Sequence, residues 1–146
     1  MSSALLLIER EISLGLSRFT RACDQRDWAA FDAVLAPDVF MEFPGFFSIE
    51  GRDAVVASIR AQLGGCGPSQ HLIGNLVVVG AGKSATSRCY ARAFHRGLGD
   101  KADITFEAFG EYVVRWRRLA EGWRAVEWTM EFQTEIGSRE IFGPAD

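Results

Sequence analysis

His71 and His95 are the only two histidines of the chain, and His71 opens an apolar run directly after a Gly/Pro loop. A neutral imidazole near pH 7 can take a proton and later return it, provided a partner fixes its tautomer. A carboxylate on Nδ1 orients the ring and stabilises the imidazolium as it forms. Spacing alone leaves that carboxylate open. Asp24 is a candidate at the end of the first helical pattern, beside Arg21 and Arg26 and off the centre of the apolar stripe. The residue types equally fit a plainer arrangement, with His71 bonded to backbone at a strand end and Asp24 solvated. His95 ends its strand at a loop and reads as a surface residue, not a second base.

Other chemistries lack their signatures. There is no phosphate-binding Gly-rich loop, no dinucleotide fingerprint and no GxSxG elbow; Gly80-Ala81-Gly82 precedes a strand, not a helix. Cys23, Cys66 and Cys89 share no metal-like spacing and read as buried thiols in a reducing compartment. Neither a metal nor an organic cofactor is expected. Arg88, Arg92, Arg115, Arg117 and Arg124 intersperse with Glu107, Glu111 and Glu127 as cross-strand pairs on an outer sheet face.

The elements that must position these groups follow from periodicity. Ile8, Ile12, Leu16, Phe19 and Cys23 recur at steps of three and four, one stripe of a helix that Ser2 or Ser3 can cap. Asp27 reads as the N-cap of a second, shorter helix with Trp28, Phe31, Val34 and Leu35 inward, ended by Pro37. Residues 51–63 read as a third, with Val55, Val56, Ile59 and Leu63 inward. Between the last two lies a short strand, 39–43, turned by Pro44-Gly45 so that 46–49 can pair back. The second half switches to period two: strands over 71–79, 85–95, 106–119 and 123–134, joined by turns and a Gly-rich loop. Helices first and consecutive antiparallel strands after predict an α+β fold, a curved sheet with helices on one face. On the strand after the third helix, parity puts His71, Ile73, Asn75, Val77 and Val79 on one face.

The chain has 146 residues, 48% apolar and 24% charged, with a formal net charge of −3. That suits one domain, 1–146, with a real core. There is no basic block, so nucleic acid is not the expected partner. The apolar run 4–8 meets Glu9, Arg10 and Glu11 at once, too short for a signal peptide, and nothing reaches the length of a membrane span. The expectation is a cytoplasmic protein with no membrane partner. Four Trp and 11 Phe set against the small Ala91 and Ala93 predict an internal cavity of roughly a few hundred cubic ångströms. Its expected lining is Trp28, His71 and Trp128, with some of Val56, Ile59, Tyr112 and Phe132; Asn75 is a further candidate. Tyr112 could donate to a developing enolate oxygen.

Three stretches together resemble the SnoaL-like branch of the NTF2-like superfamily. They are 22–28 with Phe31, Leu35, Asp38 and Val39 following; 50–55 with 70–75; and 110–112 with Gly122-Trp123-Arg124. The resemblance runs from about Ile8 to Phe132. It implies a cone of strongly bent antiparallel sheet, closed by about three N-terminal helices over an apolar pocket. In dehydratases and dehydrochlorinases of this kind, an Asp ending helix one orients a His on the strand after helix three. The matching positions are Asp24 and His71. A cationic group of the dehydrochlorinases has no match late in the last strand, where Trp128 and Glu131 stand. The implied function is a cofactor-independent lyase or isomerase acting on an apolar, cyclic small molecule. The alternatives are a non-catalytic binding protein, or an assembly subunit like the small subunit of the dioxygenases. Members commonly pair through the exposed sheet face, so a homodimer is expected.

Overall fold

The computed structural model describes residues 2–145. Helix α1 spans Ser3–Gln25; the Ser2 hydroxyl accepts from the Leu5 amide at its start, and Ile8, Ile12, Leu16, Phe19 and Cys23 are buried as the stripe required. It ends at Arg26, whose φ of 54° is left-handed. That conformation costs a non-glycine residue roughly 1 kcal/mol or more. The Arg26 guanidinium offsets the cost by bonding the carbonyls of Cys23, Leu63 and Gly67.

The second helix differs from expectation. Trp28–Ala33 is a 3-10 turn, capped by Asp27, and Val34 leads straight into strand β1, Leu35–Phe43. Pro37 therefore lies inside β1 and does not stop a helix. It falls in the irregular stretch between the paired Leu35 and Phe40, where a missing N–H removes no ladder bond. Then come β2 (Phe47–Glu50) and helix α2 (Arg52–Leu63), with Val55, Ile59 and Leu63 buried. The long strands are β3 (Ser69–Ala81), β4 (Ser84–Arg96), β5 (Thr105–Leu119) and β6 (Gly122–Gly137), with a last 3-10 turn at Arg139–Ile141.

The sheet order is β2-β1-β6-β5-β4-β3. Strands β3 to β6 form the expected antiparallel meander, but β1 runs parallel to β6, so the sheet is mixed. Bulges bend it, two between β5 and β6 and one in β3. At Gly110 the bulge brings strands so close that an added Cβ would collide with the Glu131 carbonyl. The inner face carries Trp116, Trp128 and Val114 against Phe19, Leu16 and Phe31; Trp128 stacks on Phe19 at 4.0 Å, and Trp116 donates to Ser87. Arg88 pairs with Glu111 and Glu131, and Arg115 with Glu127, on the outer face.

The β3 bulge overturns one predicted face. Asn75 takes φ 54° and the register shifts between Gly74 and Val77. His71 and Ile73 point inward, but beyond the bulge it is Leu76 and Val78 that do so, while Val77 and Val79 are exposed. One extra residue flips the alternation, which strict parity cannot anticipate.

Candidate active site

Asp24 lies in the last turn of α1, and β3 crosses that helix end. The contact is threefold. His71 Nδ1 and Asp24 Oδ1 are 2.6 Å apart, the His71 amide donates to Oδ2 at 2.9 Å, and the Ser69 hydroxyl donates to Oδ1 at 2.8 Å. Arg26 Nη1 in turn donates to Ser69 Oγ at 2.8 Å. The left-handed turn at Arg26 thus serves the site, since it aims a guanidinium at the loop that delivers Ser69 and His71. The His71 side chain is 8% exposed and that of Asp24 20%. Burial works against ionising Asp24, but the hydrogen bonds and charge of His71, with Ser69, outweigh it and hold the carboxyl below its ordinary pKa. A carboxylate at Nδ1 makes that nitrogen the donor and leaves Nε2 for the cavity.

His71 lines a half-enclosed apolar cavity of about 90 Å³. The expected few hundred cubic ångströms are not there, because phenylalanines fill the cone. Phe19 and Phe106 line it from the buried core, and the partly exposed Phe43, Phe46, Phe47, Phe132 and Phe142 complete the lining. Ala93 and Ala108, paired across β4 and β5, leave the remaining space, as small residues there should.

Of the residues expected at the lining, His71, Ile59, Tyr112 and Phe132 are there. Four are not. Trp128 is fully buried beneath Phe19 in the core. Trp28 sits on the 3-10 turn, outside the cavity, with the Arg60 guanidinium 6.0 Å from its ring. Val56 packs against the core from α2 without reaching the cavity. Asn75 is exposed at the bulge.

His95 is the largest departure at the site. It is buried, lines the cavity and meets His71 edge to face, with ring centroids 5.5 Å apart. The Phe142 ring covers it at 5.0 Å. Burial, with the neighbouring His71 charge, pushes its pKa down to about 3, so it is neutral in ordinary buffers. Among the described residues its buried Nδ1 finds no hydrogen-bond partner. The signal was in the strand, since His95 shares parity with the buried Cys89, Ala91 and Ala93. The lining residues Phe46 and Phe142 come from a turn and from the segment after β6, where no periodicity marks them.

Burial also raises the pKa values of Tyr112 and Cys23, which keeps the phenol and the thiol protonated. The cavity therefore combines one imidazole tied to a carboxylate, one neutral imidazole, a phenol and apolar walls. That set can move a proton to or from an uncharged molecule. Among the described residues, no three His, Cys, Asp or Glu side chains gather closely enough to hold a metal ion. No helix of those residues is long and apolar enough to cross a membrane.

Comparison with known proteins agrees with this fold. Residues 4–129 match the family model of the SnoaL-like domain. An uncharacterised protein of Mycobacterium tuberculosis is 28% identical over 117 residues, covering 80% of this chain and 79% of that protein. Among solved structures, a candidate scytalone dehydratase from Novosphingobium aromaticivorans superposes with a TM-score of 0.84 at 15% identity, covering 99% of this chain and 97% of that one. The hexachlorocyclohexane dehydrochlorinase LinA-type3 from Novosphingobium barchaimii superposes with a TM-score of 0.77 at 12% identity, covering 94% of each chain. Identities this low establish a shared fold.

Proposed function

The chain belongs to the SnoaL-like family of the NTF2-like superfamily, and from that premise we propose that it is a cofactor-independent lyase or isomerase acting on a neutral, apolar, cyclic small molecule. The observation that carries this reading is the 2.6 Å contact of Asp24 with His71 at the wall of an apolar cavity. In the proposed reaction His71 Nε2 takes a proton from a carbon next to an activating group. The C–H electron pair becomes a new double bond. In elimination the leaving group departs with its bonding pair and receives the proton from the imidazolium, as when hydroxide leaves as water. In isomerisation the proton returns to another carbon. Asp24 holds Nδ1–H and stabilises the imidazolium. Tyr112, protonated, is the donor for a developing enolate oxygen. Neutral His95 adds no positive charge to oppose protonation of His71. The apolar walls exclude water and strengthen each polar contact.

Turnover of a panel of small cyclic hydroxy-ketones, enones and halides tests the reading. His71→Ala and Asp24→Asn should each lower the rate of an accepted substrate by roughly two to four orders of magnitude, the worth of a positioned base and its orienter. An unchanged rate in His71→Ala contradicts it. A second reading, binding without turnover or service as an assembly subunit, draws support from the cavity's small size. Ligand binding without turnover by the wild type, or co-purification with a larger oxygenase subunit, favours it. In either case the protein is proposed to act in the cytoplasm, where its three buried free thiols are at home, and as a homodimer joined by the outer sheet face.

A further inference from the structure

Arg139 is held more firmly than a surface arginine needs to be. It follows β6 on the last 3-10 turn. Its Nε donates to Glu135 Oε2 at 3.0 Å, its Nη2 donates to Glu135 Oε1, and its Nη1 donates to the Gly45 carbonyl at 3.2 Å. Gly45 has φ +86°, and a Cβ there would lie 2.5 Å from Nη1. The turn between β1 and β2 therefore needs a glycine both for its backbone and to let the guanidinium in.

The guanidinium also packs on rings that line the cavity. Its carbon lies 4.2 Å from the ring centre of Phe46, 5.9 Å from Phe132 and 6.0 Å from Phe106, and all three rings line the cavity. One side chain thus ties the β1–β2 turn to the end of β6 and presses Phe46 towards Phe132, 5.8 Å away. Further along, the chain is fastened to the end of α2, where the Gly143 amide donates to the Gln62 carbonyl and the Gly65 amide to the Gly143 carbonyl. Phe142 lies between these two fixings, against Phe46 and His95.

We propose that Arg139 is a specificity-determining positioning residue, a clamp on Phe46 that limits the cavity, whose own lining favours neutral ligands, to about one ring. This rests on the reading that the cavity beside His71 is the binding site. The size limit follows from volume. The cavity of about 90 Å³ is smaller than the apolar cavity of roughly 150 Å³ known to take up benzene. A single ring therefore fills it with the lining giving slightly, and a fused pair of rings needs Phe46 to swing away. The charge limit follows from the lining, which contains no lysine or arginine. An anion would lose its hydration there and meet the Asp24 carboxylate behind His71, while the nearby Arg139 guanidinium is already paired with Glu135.

The test measures binding of three probes, p-cresol, 2-naphthol and 4-methylbenzoate, by NMR shifts of the His71 ring, in wild type, Arg139→Ala and Arg139→Lys. Wild type should prefer p-cresol over 2-naphthol by about tenfold or more, and Arg139→Ala should lose most of that preference, a change on the scale of one partly exposed cation–π contact plus a clamp. Arg139→Lys keeps the charge but not the two-pronged grip, and should fall between them. It also serves if Arg139→Ala fails to fold. 4-Methylbenzoate should bind about tenfold more weakly than p-cresol, or worse. Binding with the same size preference in all three proteins overturns the clamp and leaves the site standing. Equal binding of the anion overturns the charge limit. Failure of every probe to shift His71 in any variant overturns the site and the clamp together.

Discussion

Two histidines of one cavity wall have opposite circumstances. His71 has a carboxylate on Nδ1, and His95 has a buried Nδ1 with none among the described residues. The second carries a pH prediction. In the unfolded chain His95 binds a proton near pH 6.5, whereas in the fold its pKa is about 3. Between those values the unfolded state holds more protons, so stability is full above pH 6.5 and declines as the pH falls. The slope approaches about 1.4 kcal/mol per pH unit for one such group. Asp24, also depressed, adds a further loss only below its unfolded value of 3.8. Thermal melts from pH 7 to 4 should show a falling Tm, and His95→Leu, which cannot titrate, should flatten the curve. An equal decline in the variant would assign the acid sensitivity elsewhere.

The helix α1 was legible from its three-and-four rhythm and its serine cap, and the four long strands from period two between Gly-rich turns. What these signals could not carry was local irregularity and distant pairing. Strand β1 joins β6 in parallel across more than eighty residues of sequence, a pairing no local pattern encodes. The β3 bulge put Asn75 outside the cavity and reversed Val77 and Val79. Asp24 was legible as a helix-end acid, but its contact with His71 depends on where β3 crosses α1. Half of the expected ligand-contacting residues lie elsewhere because large rings such as Trp128 fill the core as readily as they wall a pocket. The bulge itself is testable. Asn75 is left-handed, so Asn75→Ala should cost roughly 1 kcal/mol and lower the Tm by several degrees, while Asn75→Gly should be neutral or slightly stabilising. Neither should change turnover. A drop in rate with either, at unchanged fold, would return Asn75 to the site.

At the scale of the molecule, the curved sheet has two uses. Its inner face builds the core and cavity; its outer face mixes ion pairs with Tyr90, Phe109 and exposed Leu72, Val77 and Val79. That mixture of rings, arginines and paired charges suits a self-complementary contact between two copies. Light scattering at micromolar concentration should give twice the 16.1 kDa chain mass, and a monomer would reject the outer face as an interface. Inside the cavity, the work proposed for Asp24 and His71 is to move a proton to and from carbon. The most direct measurement is exchange of an acidic C–H of a bound cyclic ketone with solvent deuterium, followed by NMR in D2O. Wild type should exchange that hydrogen much faster than solvent alone, and His71→Ala should bind the ketone yet lose the acceleration. Undiminished exchange in His71→Ala, or binding beside His71 with no exchange by the wild type, would contradict it.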